Sequence, residues 1–195
     1  MGEKSIQKRK YILKTAREVF MDKGFKSVTM KDIVEACEIS RGGLYLYFES
    51  TEQIFLEVLK MESEEGDDVF SDSISDDATA AEILLLFLKE QKKELLRKKN
   101  SLTKAVYEYF FDNHPPRKEN VLKKEFDAAV LIIERLIETG VENGEFVCED
   151  CAGAARNIMY VLEGLKISAQ TIGITSDMVD KELLYILRSL GVGME

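Results

Sequence analysis

TMKDIVEACEISRGGLYLYF, residues 29–48, decides the fold. Ile33, Val34 and Cys37 recur at helical spacing. A three-residue break follows at Glu38, Ile39 and Ser40, and a second short helical pattern runs through Leu44 to Phe48. Thr29 and Ser40 each stand where a helix N-cap belongs, with a hydroxyl that can accept a hydrogen bond from a free backbone N–H. Two short helices joined by so tight a turn cross steeply. That is helix-turn-helix geometry, with the second helix presented as a probe for a groove of DNA.

Upstream of this stretch, Ile12, Leu13, Ala16, Val19 and Phe20 form one face of an amphipathic helix over 6–23. Gly24 is expected to close it in a left-handed conformation, and Phe25 to fold back into the small core. Lys4, Lys8, Arg9 and Lys10 read as a basic arm ahead of the helix, which fits either a solvated terminus or a set of phosphate contacts.

Downstream, Ser50 is expected to cap a connecting helix, with Gln53 as its capping-box partner. Ile54, Phe55, Val58, Leu59 and Met61 supply its buried stripe. The pattern is expected to dissolve in ESEEGDD (62–68) and SDSISDD (71–77), acidic segments with the composition of a boundary loop. Their carboxylates lack the alternating order of a calcium loop and read as a solvated run. Further helices are expected over 77–98, 102–111, 118–143, 150–171 and 176–190. Val106, Tyr107, Phe110 and Phe111 are expected to share a face of the second of these, and Phe126, Val130, Ile133, Ile137 and Val141 a face of the third. Residues 145–147 read as a short extended link. No long strand-like alternation occurs, so the chain is all-α: a head over 1–50 and a larger helical domain over 51–195.

Charge is segregated between these parts. Residues 1–50 hold ten Lys/Arg against seven Asp/Glu, or +3; the remainder hold 17 against 29, or −12, for a net −9. The basic part surrounds the probe helix, as nucleic-acid binding needs, while an acidic body would discourage docking in the wrong orientation. The longest apolar runs, Ile83–Leu88 and Ala128–Ile133, are too short to span a membrane, and the basic N-terminus has no apolar segment of the secretory kind. Three cysteines fit a reducing compartment. A cytoplasmic location without membrane contact is the expectation.

The helix over 150–171 carries two packable faces. One is Ala155, Ile158, Met159, Leu162, Leu165 and Ala169; the other, of mostly small residues, is Gly153, Asn157, Tyr160, Val161, Gly164, Ser168 and Thr171. The last helix repeats the theme, with Leu184 and Tyr185 outside its inward stripe. Pairing with the same helices of a second copy is expected, because one short probe helix buries too little for specific affinity.

Over residues 6–60 the chain resembles the TetR family of transcriptional repressors. The resemblance rests on Ile12-Leu13, Ala16, Phe20, Gly24-Phe25, Thr29, Ile33, the run Ile39-Ser40-Arg41-Gly42-Gly43-Leu44-Tyr45, and Tyr47-Phe48. It implies a homodimer in which three N-terminal helices bind a palindromic double-stranded operator and a C-terminal bundle dimerises and holds a small-molecule inducer. Two departures stand out. Glu38 replaces the usual turn glycine, at a cost of about 1–2 kcal/mol if the turn stays left-handed. Thr51 replaces a lysine that would hold a phosphate, which points to weaker, less salt-dependent anchoring there.

On this reading Leu44 and Phe48 anchor the probe helix in the core. Arg41 can grip guanine O6 and N7, and Gly42 and Gly43 keep the helix slim where it meets the bases. Ser40 caps it. Tyr45 and Tyr47 donate hydroxyls to phosphates, Thr29 and Lys31 touch phosphate or an edge base, and Thr51 offers its hydroxyl and N–H. Phe87, Tyr107, Phe110, Phe111, Phe126 and Met159 are candidate walls of the inducer pocket, although aromatic stripes usually just pack. The absence of basic residues among these stripes favours an apolar, neutral or cationic ligand.

Cys148-Glu149-Asp150-Cys151 is a single CxxC, without the second pair of a zinc site or the βαβ context of thiol exchange. It supports an alternative reading, a DNA-binding thiol or metal sensor acting through Cys148 and Cys151. His114 is the sole histidine, and no catalytic or metal-ligand set can be assembled around it. No enzymatic activity, cofactor or metal is expected.

Overall fold

The computed structural model describes residues 2–75, 77–97 and 101–192. Among them nine helices follow one another without a strand: α1 (Glu3–Lys23), α2 (Met30–Ala36), α3 (Arg41–Tyr45), α4 (Thr51–Asp72), α5 (Ala80–Leu96), α6 (Thr103–Asp112), α7 (Val121–Glu142), α8 (Cys151–Thr171) and α9 (Ser176–Ser189). They divide into two compact units, Met1–Ser71 with Lys98–Pro115, and Asp72–Arg97 with Pro116–Glu195. Residues 50 and 51, between which the head was expected to end, both lie in the first unit. Ile54, Phe55 and Val58 of α4, with Leu102, Ala105 and Tyr109 beside and on α6, are buried together with Ile12, Ala16, Phe20, Ile33, Leu44 and Phe48.

Phe25 folds back as expected, its ring centroid 4.9 Å from those of both Phe55 and Tyr109. Gly24 closes α1 with φ 79° but an extended ψ of 173°, so it is not the left-handed helical cap expected; this conformation is open to glycine and little else.

The acidic stretch 62–68 is helical, contrary to the expected loop, and α4 runs on to Asp72. The cause lies in α1. Glu57 pairs with Arg9, Glu62 accepts a hydrogen bond from Arg17 Nε at 2.5 Å, and Glu65 faces Lys10 and Lys14 at 3.8 and 3.7 Å. A glutamate-rich segment has good helix propensity once its charges are met. The basic arm is revised by the same contacts: Lys4, Lys8, Arg9 and Lys10 lie within α1, not ahead of it.

In α6 the expected four-residue face splits. Leu102, Ala105 and Tyr109 turn inward with Val106 and Phe110 beside them, while Tyr107 and Phe111 stack on each other at 5.8 Å, Phe111 being 66% exposed. Residues 105 and 107 are two 100° steps apart, so they cannot share a face.

In the second unit Thr79 and Glu82 form a reciprocal capping box, so α5 begins at Ala80 rather than Asp77; its expected end at Lys98 lies outside the described residues. Its core joins Leu84 and Leu88 of α5, Ile133 and Ile137 of α7, Ala155, Ile158 and Leu162 of α8, and Val179, Leu183 and Ile186 of α9. Val141, expected inward on α7, is exposed; Gly140 holds the inward position instead. A Schellman closure follows, with Glu145 N–H on the Gly140 carbonyl at 2.7 Å, Gly144 N–H on that of Val141 at 3.1 Å, and Gly144 at φ 74°. This reversal brings Phe146 down over Gly140, where the ring is buried. Of the expected extended link, Phe146 is thus part of the core, while Val147 is exposed.

Candidate nucleic-acid interface

The geometry begins with caps. Thr29 Oγ1 accepts the N–H of Asp32, and Asp32 reaches back to the Thr29 N–H at 2.8 Å, a full capping box at the start of α2. Lys23 Nζ stands 2.5 Å from the same carboxylate. Lys23, then the Thr29 hydroxyl and N–H, hold the Asp32 carboxyl far below the usual carboxylate range.

At the other end of α2, Ile39 N–H bonds the Val34 carbonyl at 3.3 Å and Glu38 N–H that of Glu35 at 3.2 Å, another Schellman closure. Its left-handed position is filled by Glu38 at φ 51°, the conformation whose cost the sequence raised. Ser40 follows in extended conformation, its Oγ accepting the Gly43 N–H at 3.0 Å. Ser50 Oγ likewise accepts the Gln53 N–H at 3.1 Å to start α4, while the Gln53 side chain takes the N–H of Glu49 rather than that of Ser50.

With both ends fixed, α3 has a defined inside and outside. Leu44 and Phe48 are fully buried, as expected of anchors, and Tyr47 is half-buried against the same core. Arg41, Gly42 and Tyr45 face solvent; Tyr45 is 43% exposed, with the Arg41 guanidinium over its ring at 5.6 Å. No heavy atom would meet a Cβ at Gly42 within 4 Å, whereas one at Gly43 would stand 3.1 Å from Ser40 Oγ. Lys31 is exposed 3.6 Å from Glu35, and Thr51 is the half-buried first residue of α4. Sequence reasoning passed over Leu46, which is 84% exposed. Its spacing of four from Gly42 was the available signal, given that Leu44 and Phe48 serve the core.

Contacts from α1 and α6 lock this group in place. Tyr11 donates its hydroxyl to the Cys37 carbonyl at 3.3 Å, and Tyr109 donates to Glu52 at 2.7 Å. Glu108 accepts the Lys26 N–H at 3.1 Å, and Asp112 pairs with Lys26 Nζ at 2.8 Å.

The candidate ligand walls are dispersed. Tyr107, Phe110 and Phe111 belong to the first unit, and Phe87, Phe126 and Met159 pack in or against the core of the second. An open groove of about 530 Å³ in the first unit, between Leu13 of α1 and Met61 of α4, is lined by none of the six. Cys148 and Cys151 are both half-buried. Burial, then the neighbouring Cys148 thiol and the charge of Glu138, push the Cys151 thiol up, against formation of the thiolate. Among the described residues no three His, Cys, Asp or Glu side chains converge as metal ligands do, and no helix is long and apolar enough to cross a membrane.

Residues 12–58 match the family model described as bacterial regulatory proteins, tetR family, and residues 83–180 match one described as tetracyclin repressor-like, C-terminal domain. YfiR of Bacillus subtilis strain 168, an uncharacterized HTH-type transcriptional regulator, is 33% identical over 136 residues, 69% of this chain and 66% of that one. The match thus spans just under two thirds of the length of YfiR. The HTH-type transcriptional regulator QacR of Staphylococcus aureus strain Mu50 is 26% identical over 156 residues, 79% of this chain and 81% of its own. The structure of a transcriptional regulator from Saccharomonospora viridis in complex with choline shares the fold at a TM-score of 0.81 and 21% identity, over 92% of this chain and 95% of that one.

Proposed function

This chain belongs to the TetR family of bacterial DNA-binding transcription regulators, and from that premise we propose a dimeric repressor that a small molecule releases from a palindromic operator. The observation that carries the reading is the outer face of α3. Arg41 is exposed and makes no ion pair among the described residues, whereas Arg9, Arg17, Lys23 and Lys26 are all paired. An arginine left without a carboxylate, held over Tyr45 and next to a glycine that clears the approach, suits bidentate contact with guanine in a major groove. Tyr45, Tyr47, Thr29, Lys31 and Thr51 surround it as phosphate contacts, with Ser40 and Gly43 setting the helix start.

Dimerisation is read from α8 and α9. Outside their buried stripes they expose Tyr160, Ile167, Leu184 and Tyr185 to solvent, with the small Gly164 among them. An apolar face of this kind on paired helices suits a second copy. For the ligand, Phe87, Phe126 and Met159 carry more weight than Tyr107, Phe110 and Phe111. Of the latter three, Phe110 packs on the first unit's core, Phe111 is turned to solvent and Tyr107 is half-buried in a stack on Phe111. That a protein of this fold is found with choline supports a small-molecule ligand here. Such a ligand acts by binding better to a dimer whose two α3 helices no longer match successive major grooves.

Binding of the full-length protein to labelled duplexes tiling the intergenic DNA beside its own gene tests this. A shifted duplex with an inverted repeat, weakened at least tenfold by Arg41→Ala and by Tyr45→Phe, is the expected result. Unchanged binding by both variants refutes the assignment of α3.

A further inference from the structure

Leu46 is a leucine in the wrong place for a core residue. It is 84% exposed, and no large apolar side chain among the described residues is more so. Single exposed leucines are ordinary on protein surfaces, so exposure alone means little. Position is what distinguishes this one. Helical geometry continues through it, with φ −66°, ψ −21° and its N–H on the Gly42 carbonyl at 3.2 Å. At 100° per residue, Leu46 lies about 40° around the helix from Gly42 and one turn along it. Arg41 and Tyr45 flank that line on one side, Gly43 and Tyr47 on the other, and Leu44 and Phe48 point the opposite way into the core. The centre of the outward face is therefore a bare glycine followed by an isobutyl group.

A major groove offers such a group one protruding apolar partner, the 5-methyl of thymine, among donors, acceptors and flat ring C–H. We propose that Leu46 is a specificity-determining residue that reads a thymine methyl in each half-site, Gly42 letting the helix approach closely enough for the contact. The proposal rests on the reading of α3 as the helix that enters the groove, and adds to it the base that one side chain selects. Cytosine in the same place would present a bare ring carbon, so discrimination comes from one methyl. The leucine would be dehydrated only on the right sequence.

The operator sequence need not be known for the test. Full-length wild type and Leu46→Ala each select from a pool of duplexes with a randomised centre. Both are expected to enrich a two-fold motif. In the wild-type motif thymine holds one position of each half-site; with Leu46→Ala that position alone relaxes. Replacing that thymine by deoxyuridine in the wild-type duplex removes only the methyl. Wild-type binding should weaken about fourfold per methyl and on the order of 15-fold for two. Leu46→Ala should bind both duplexes alike. Equal wild-type affinity for the two duplexes overturns the proposal and leaves the reading of α3 standing, as does a Leu46→Ala motif that keeps the thymine. Failure of the wild type to enrich any motif overturns the reading of α3, and this proposal with it. The deoxyuridine comparison uses the wild type alone, so it decides even if the variant folds poorly.

Discussion

Replacing Gly140 by alanine puts a methyl where the Phe146 ring already lies. An ideal Cβ there stands 2.1 Å from Phe146 Cδ2 and 2.4 Å from Cε2. Carbon–carbon contacts relax near 3.5–4.0 Å, so ring or backbone must yield by more than about 1 Å. Neither is free to do so. The ring is in the core, and the chain that carries it is pinned by the Schellman bond at 2.7 Å and by Val147 N–H on the Leu190 carbonyl at 2.9 Å. Forced overpacking costs about 1–3 kcal/mol, and expelling the ring about 3–5. Against this, alanine gains about 1 kcal/mol over glycine within a helix. A net loss of about 2 kcal/mol follows, which lowers the thermal midpoint of a chain this long by about 4–8 °C. Gly66→Ala is the internal control: it is mid-helix in α4 with nothing near its missing Cβ, and should raise the midpoint by about 2–4 °C. Thermal unfolding followed by far-UV circular dichroism reads both. A cycle with Phe146→Ala should show the cost of losing the ring shrinking in the Gly140→Ala background. Should Gly140→Ala melt at or above the wild type, the packing of Phe146 on α7 is not as described.

Two further outcomes follow from the first unit. Burial, then the Glu52 carboxylate that accepts its hydroxyl, push the Tyr109 phenol up to about 12. The folded state therefore holds this proton more tightly than the unfolded one. Stability is whole below pH 10 and lost as pH rises from 10 toward 12, so wild-type midpoints should fall more steeply over that range than those of Tyr109→Phe. Parallel slopes would contradict the environment assigned to the phenol. Glu38→Gly removes the strain of a side chain at φ 51° and should stabilise by about 0.5–1 kcal/mol after the added entropy of the unfolded glycine, read as a higher midpoint in the same melts. A lower midpoint would mean that Glu38 makes a compensating contact.

What the sequence made legible was local. Thr29, Ser40, Ser50, Asp150 and the glycine at 144 mark ends of helices through bonds spanning a few residues, and the spacing of Leu44 and Phe48 is enough to orient α3. Where the reading failed, the deciding partner was distant in the chain. ESEEGDD looks like a loop until α1 supplies its cations. Val141 looks buried until the turn at 143–146 carries Phe146 back over Gly140. Tyr107 and Phe111 look like part of a wall until Tyr109 takes the inward position with Phe25 and Phe55. On the probe helix, the residues facing inward were found because cores have a periodic signature. Leu46 was missed because an outward leucine has none.

The α1–α4 contacts also change what the basic head can offer a polyanion. Of its ten cations, Arg9, Lys10, Lys14, Arg17, Lys23 and Lys26 face carboxylates of α4, α2 or α6, and Lys31 stands near Glu35. Lys4, Lys8 and Arg41 make no ion pair among the described residues; with Arg41 given to a base edge and Lys31 held only by an exposed pair at 3.6 Å, Lys4, Lys8 and Lys31 leave about three cations per copy to meet phosphate. Each phosphate neutralised steepens the dependence of log K on log salt by about 0.9. A dimer using six cations should show a slope near −5, against about −18 if all ten in each copy were engaged. Exposed pairs are worth only about 0–1 kcal/mol each, so phosphate can compete for them, and the slope reports whether it does. Titrating a labelled operator duplex with protein at several potassium chloride concentrations measures it. A slope of −10 or steeper would mean that DNA opens the α1–α4 pairs on binding, and the bound face would then also include Arg9, Lys10, Lys14 and Arg17.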